Sequence, residues 1–178
     1  MKKIVYCIFL LISCSNIIFA QVDTNAPPAV KMTKFNIETE AAQGGGGKWS
    51  KLITTFSSLP EWADGLVFNY EVLVQVEDRF RVLTGLVRYA NVPKGINEAV
   101  LYLSPSATKR FGVPVAVTVG AFYNDQEVDV FKWSSGAKIP DGWNLKYNTY
   151  NGVLLNIMYT PWIASDYGRY PDLMAMQR

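Results

Sequence analysis

From Leu66 to Val76 the chain alternates. Leu66, Phe68, Tyr70, Val72, Val74 and Val76 fall on one side of a period-two pattern, and Asn69, Glu71 and Gln75 on the other. Such alternation marks a strand with one face in a core and one partly wet. Glu77-Asp78 interrupts it as a tight turn. Arg79–Val92 resumes with Phe80, Val82, Thr84 and Leu86 in phase, so an antiparallel hairpin is expected.

Around this hairpin the signals are shorter. Lys48–Phe56 is rich in aromatic and β-branched residues and reads as a strand. Val30–Thr39 is a candidate strand whose phase shifts at Phe35. Val92–Gly95 reads as a turn and Ala99–Leu103 as a short strand. Between Ser104 and Gly112 a brief helix is expected: Ser104 can cap it, Pro105 suits its first position, Lys109 and Arg110 fall near its negative end, and Gly112 can end it. Val113–Tyr123 and Glu127–Trp133 read as two strands joined around Asn124–Gln126. Pro140–Gly142 is a turn, and Asn151-Gly152 is expected to join Leu145–Tyr150 to Val153–Thr160 as a further hairpin. Seven to nine short strands with one helical turn predict a single all-β domain, a sandwich or a barrel.

The amino terminus changes the compartment. Lys2 and Lys3 precede an apolar run from Ile4 to Ile12, followed by small and polar residues up to Ala20. This is the pattern of a signal peptide spanning residues 1–20, cut before Gln21. Leu11-Ile12-Ser13-Cys14 also resembles a lipoprotein cleavage site, but Ile17, Ile18 and Phe19 keep the segment apolar beyond it, which favours plain secretion. Residues 21–47 then form a lead-in with one candidate strand and a glycine linker, and 48–178 the sandwich domain.

Removing the leader also removes charge. Lys+Arg exceeds Asp+Glu by 17 to 15, and Lys2 and Lys3 account for the whole surplus. A formally neutral mature chain carries no basic excess to attract nucleic acid. Cys7 and Cys14 leave with the leader as well, so the secreted form has no disulfide.

The 178 residues contain no histidine. Ser-His-Asp and Cys-His nucleophilic mechanisms are therefore excluded, as are zinc sites built from His and Cys. Carboxylate-only chemistry such as glycoside hydrolysis stays formally open, but Glu61, Asp64, Glu71 and Glu98 lie in different segments and no pair can be assigned.

Three stretches invite a ligand. Gly44–Lys48 looks like part of a phosphate-binding loop, yet the first required glycine is Ala42, the hydroxyl position is Trp49, and a strand rather than a helix follows. A flexible connector fits it better. Asp125, Glu127 and Asp129 alternate as a calcium site could, but the glycine and later glutamate of an EF-hand are missing, and the solvated face of a hairpin is the favoured reading. Trp62, Trp143 and Trp162 lie in loops near prolines or glycines and are the better candidates for exposed indoles that stack on sugar rings, although a core or structural role is the favoured reading because tryptophan is mostly buried. Trp49 and Trp133 lie in strands and are expected in the core.

Trp49–Val74, Val82–Gly95 and Ala99–Val119 resemble an exported protein family of Verrucomicrobia. The most specific pieces are Trp62-Ala63-Asp64, Val92-Pro93-Lys94-Gly95 and the stretch from Ser104-Pro105-Ser106 to Arg110-Phe111-Gly112-Val113-Pro114. The likeness spans Trp49 to Trp133. It implies an immunoglobulin-like β-sandwich and a non-enzymatic envelope protein associated with a type IV pilus-like gene cluster.

These readings converge on an exported, non-catalytic module of the periplasm, outer membrane or cell surface. No catalytic residue, cofactor or metal is expected. Envelope proteins or a second copy of the chain are the expected partners, with a glycan as the alternative, and Trp62, Trp143 and Trp162 are the candidate contacts.

Overall fold

The computed structural model describes residues 29–42, 47–136, 139–166 and 170–173. The expected leader and residues 43–46, which hold most of the glycine run, lie outside them. The strands are β1 (Val30–Ala41), β2 (Lys48–Ala63), β3 (Leu66–Val76), β4 (Arg79–Ala90), β5 (Val92–Leu103), β6 (Val113–Tyr123), β7 (Gln126–Ser134), β8 (Thr149–Asn151) and β9 (Asp172–Leu173). Helix α1 (Pro105–Phe111) follows β5, and the single turn α2 (Trp143–Lys146) follows β7.

They form two sheets. One has the order β1-β2-β5; the other has β7-β6-β3-β4-β8, with β9 adding to β4. Strands 1, 2 and 5 in one layer facing 7, 6, 3 and 4 in the other make an immunoglobulin-like sandwich in which β4 lies beside β3 rather than beside β5. The core between the layers holds Leu52 and Phe56 of β2, Ala99, Leu101 and Leu103 of β5, and Phe68, Tyr70, Val72 and Val74 of β3. Phe56 and Phe68 meet across it with centroids 4.7 Å apart.

The β3–β4 hairpin forms as its pattern predicts, with Glu77 at φ 54° in the turn. Strand β4 faces the other way from the expected phase: Leu83, Val87 and Tyr89 enter the core, while Val82 packs on the outside with Phe80 against it. Pairing sets this, because Phe68 and Val72 lie opposite Val87 and Leu83. Val92–Gly95 is not a separate turn but the start of one long β5, and Asn91, at φ 50°, makes the bend before it.

Both open sides of the sandwich are closed. On one side the Met32 amide donates to Asp129 Oδ2 at 2.6 Å, and Phe35 packs on Trp133 with centroids 5.4 Å apart. On the other, Asn151-Gly152 does not turn a hairpin. β8 runs parallel to β4, Gly152 (φ 73°) redirects the chain, and Leu155 exchanges both backbone hydrogen bonds with Tyr102 of β5. The segment thus satisfies edge groups of β4 and β5 that would otherwise face solvent.

Residues 139–166 and 170–173 also cover both outer faces. Ile157, Trp162 and Tyr170 pack on Ile53, Val100 and Tyr102 of the three-stranded sheet. Ile139, Trp143 and Tyr147 pack against Leu73, Val82, Val115 and Ala116 of the other. Trp49 and Trp133, expected in the core, are both half-buried: Trp133 packs at the core's margin, and Trp49 lies on the outer face of the three-stranded sheet.

Candidate functional site

Pro60 sets up the first site. Its lack of an N–H interrupts the β2–β5 ladder, so that Ser58 pairs with Gly95 but the next pair is Trp62 with Pro93. Asn97 Nδ2 compensates on β5 by donating to the carbonyls of Pro93 (2.8 Å) and Gly95 (3.2 Å). The bulge turns Trp62 outward, where it is 62% exposed beside Ile96 at 82%.

Trp62 and Ile96 line an open cleft of about 1010 Å³, with Asp64, Glu98 and Asp172 around it. Asn91 braces one wall: its amide donates to Asp64 Oδ1 (2.8 Å), and its Nδ2 donates to Asp172 Oδ2 (3.1 Å). An indole face next to carboxylate acceptors can stack a flat apolar group and receive hydrogen bonds from its substituents. Asp64 and Glu98, far apart in sequence, share this cleft because β2 and β5 are paired.

The other two tryptophans lie elsewhere. Trp143 is half-buried over Leu73 and Val82, on the outside of the second sheet. Trp162, expected as an exposed loop aromatic, is 7% exposed. One face stacks on Tyr102 (centroids 5.6 Å apart, planes 14° apart), and Trp49 meets it edge-on at 5.6 Å. Its Nε1 donates to Glu40 Oε1 at 2.8 Å. A loop next to Pro161 looked exposed in sequence, but the uncovered outer face of β2 and β5 takes the indole instead.

Beside Trp162 lies a centre that sequence reasoning missed. The Lys51 side chain is 4% exposed, donates to Asp166 Oδ2 at 3.1 Å, and pairs with Glu40. Its Nζ lies 4.9 Å from the Trp162 ring and 5.8 Å from that of Tyr102. Burial acts to lower the ammonium pKa, but hydrogen bonds to Glu40 and Asp166 outweigh it and hold the group above its ordinary value. The signal was present: Trp49, Lys51 and Ile53 alternate on one face, and a lysine between two large apolar residues marks a face that something covers.

Asp129 is occupied in the β1–β7 closure, and Asp125 (φ 60°) sits in the β6–β7 turn. Among the described residues no group of three or more His, Cys, Asp or Glu is arranged to hold a metal ion.

No protein-family model matches the chain, and no curated protein does. A crystal structure of a protein from Akkermansia muciniphila is similar, with a TM-score of 0.68 and 25% identity over 83% of this chain and 93% of that one. This chain shares its fold with a verrucomicrobial protein. The shared region extends well beyond one sheet or one motif and takes in most of the sandwich.

Proposed function

We propose that the chain is an exported, non-catalytic β-sandwich module of the cell envelope, a structural or assembly component linked to a pilus-like system. The β-sandwich fold shared with the Akkermansia protein over 83% of the chain supports a structural module, and the resemblance of Trp49–Trp133 to the exported verrucomicrobial family suggests the pilus-like link. The apolar leader after Lys2 and Lys3 and the absence of histidine support it. Partner proteins of the envelope, or a second copy of the chain, would engage exposed apolar positions such as Trp62 and Ile96.

Cross-linking a tagged full-length chain in intact cells tests the assignment. Links to pilus-assembly or other envelope proteins are expected, weakened by Trp62→Ala with Ile96→Ser. Links confined to cytoplasmic proteins would refute it.

A second reading rests on one observation, the exposed Trp62 indole over a cleft that carries carboxylates. On that reading the module binds a glycan at Trp62, without Trp162, which is buried. A glycan array then shows hits that Trp62→Ala abolishes; an array without hits removes the reading.

A further inference from the structure

Lys51 and Asp166 are 115 residues apart in sequence, yet their side chains meet at 3.1 Å on the outer face of β2. The amine is 4% exposed and the Asp166 side chain 17%. Rings of Trp162 and Tyr102 lie over the amine, and a second carboxylate, Glu40, pairs with the same Nζ. Trp162 Nε1 fixes Glu40 by donating to Oε1, which leaves Oε2 on the amine. A lysine, an aspartate and an auxiliary carboxylate under an aromatic cover are the parts that a self-formed amide needs.

We propose that Lys51 and Asp166 condense to an intramolecular isopeptide bond that staples the C-terminal segment to β2. At rest they are an ion pair. Transfer of one Nζ proton to Asp166 gives an amine facing a carboxylic acid with no change in net charge. The Nζ lone pair attacks Cγ of Asp166 and forms the C–N bond. Glu40 takes a second Nζ proton and delivers it to the departing hydroxyl. The C–O bond breaks, one water leaves, and Glu40 is regenerated. Nothing is oxidised or reduced and no co-reactant is consumed.

The fold holds both reacting groups in contact, which makes the step effectively unimolecular. A small neutral fraction suffices because the reaction happens once per molecule. Asp166 is assigned as the partner because it is the more buried carboxylate, 17% against 44% for Glu40, and Glu40 is tied to the indole. The bond would give an exported chain without cysteine after Cys14 a covalent staple of another kind.

The intact mass of the purified full chain tests this. The expected mass is lower than the sequence mass, after any leader removal, by one water. Tryptic digestion should then leave Lys51 uncleaved and yield a branched peptide joining residues 49–79 to 147–169. Lys51→Arg and Asp166→Ala should each restore the full mass of their own sequences, and Glu40→Gln should leave most molecules unlinked. A wild-type chain of full mass that is cleaved after Lys51 overturns the proposal, as does a water loss mapped to Glu40 or to any other site. The wild-type measurement stands alone if a variant fails to fold.

Discussion

Gly112 leaves α1 at φ 100°, and a β-carbon there would lie 1.9 Å from the Gln75 carbonyl oxygen. Both the backbone conformation and the close approach require glycine. Gly112→Ala should lower stability by at least about 2 kcal/mol, read as a drop in the urea midpoint at unchanged slope. This position was legible in sequence, as were Ser104, whose Oγ accepts from the Ala107 amide, and Pro105 in the first turn. Capping chemistry is local, so a few residues declare it. The buried tyrosines were not legible as a latch. The Tyr89 hydroxyl accepts the Val100 amide at 3.0 Å, and the Tyr70 hydroxyl reaches Thr54 Oγ1 and the Ala99 carbonyl oxygen. Tyr89→Phe leaves the Val100 amide unpaired and should cost about 1–3 kcal/mol. Burial raises the phenol pKa values of Tyr70, Tyr89 and Tyr102 above 10.0; Tyr70 adds to the effect on Tyr89, and Tyr170 to that on Tyr102. An unfolded chain ionises near 10.0 while the native one holds these protons, so the unfolded state binds fewer protons above that pH. Stability should therefore be insensitive to these groups at neutral pH and fall as pH rises past 10. Urea melts from pH 8 to 11 check this, and Tyr70→Phe should flatten the alkaline fall.

Among elements, hairpins with short turns were readable and crossings were not. Glu77-Asp78 and Asn124-Asp125 join strands that pair with each other, and their turn residues take positive φ at Glu77, Asn124 and Asp125. Asn151-Gly152 carries an equally strong turn signal, yet it redirects the chain from the β4 edge to the β5 edge. Turn chemistry states that the chain bends there, and only the free edges decide where it goes next. Gly85 shows what the crossing demands. Its β-carbon would lie 2.7 Å from Leu154 Cβ and 2.9 Å from Leu101 Cδ1, in a backbone conformation open to any residue. Gly85→Ala should push residues 153–155 off β4 and destabilise by about 1–3 kcal/mol through overpacking. Faster amide exchange at Leu155 and Tyr102 would report the displacement, and unchanged exchange would count against it. The phase of β4 was likewise hidden, because both of its faces are apolar. Val82 and Leu83 are each buried, one outside and one inside, and alternation cannot rank them.

At the scale of the molecule, two sheets enclose one core, and the described residues from Ile139 onward cover both outer faces. The all-β class was readable from strand and turn density. The wrapping was not, since Trp162, Glu40 and Lys51 meet only after the fold forms, across 122 and 115 residues. A staple closing a loop that long is worth about 4–5 kcal/mol in the chain-entropy account. Lys51→Arg, which keeps the charge but cannot make the amide, should lose about that much by denaturant melting, far more than exchange within an ion pair would give. The same wrapping leaves Trp62 and Ile96 exposed. We propose that this sandwich works outside the cytoplasm as an envelope module. Fractionation of the native cell followed by mass spectrometry of the chain's first peptide tests it most directly. A chain beginning at Gln21 in the envelope or medium fraction is expected; a chain retaining Met1–Ala20 and confined to the cytoplasm would contradict this.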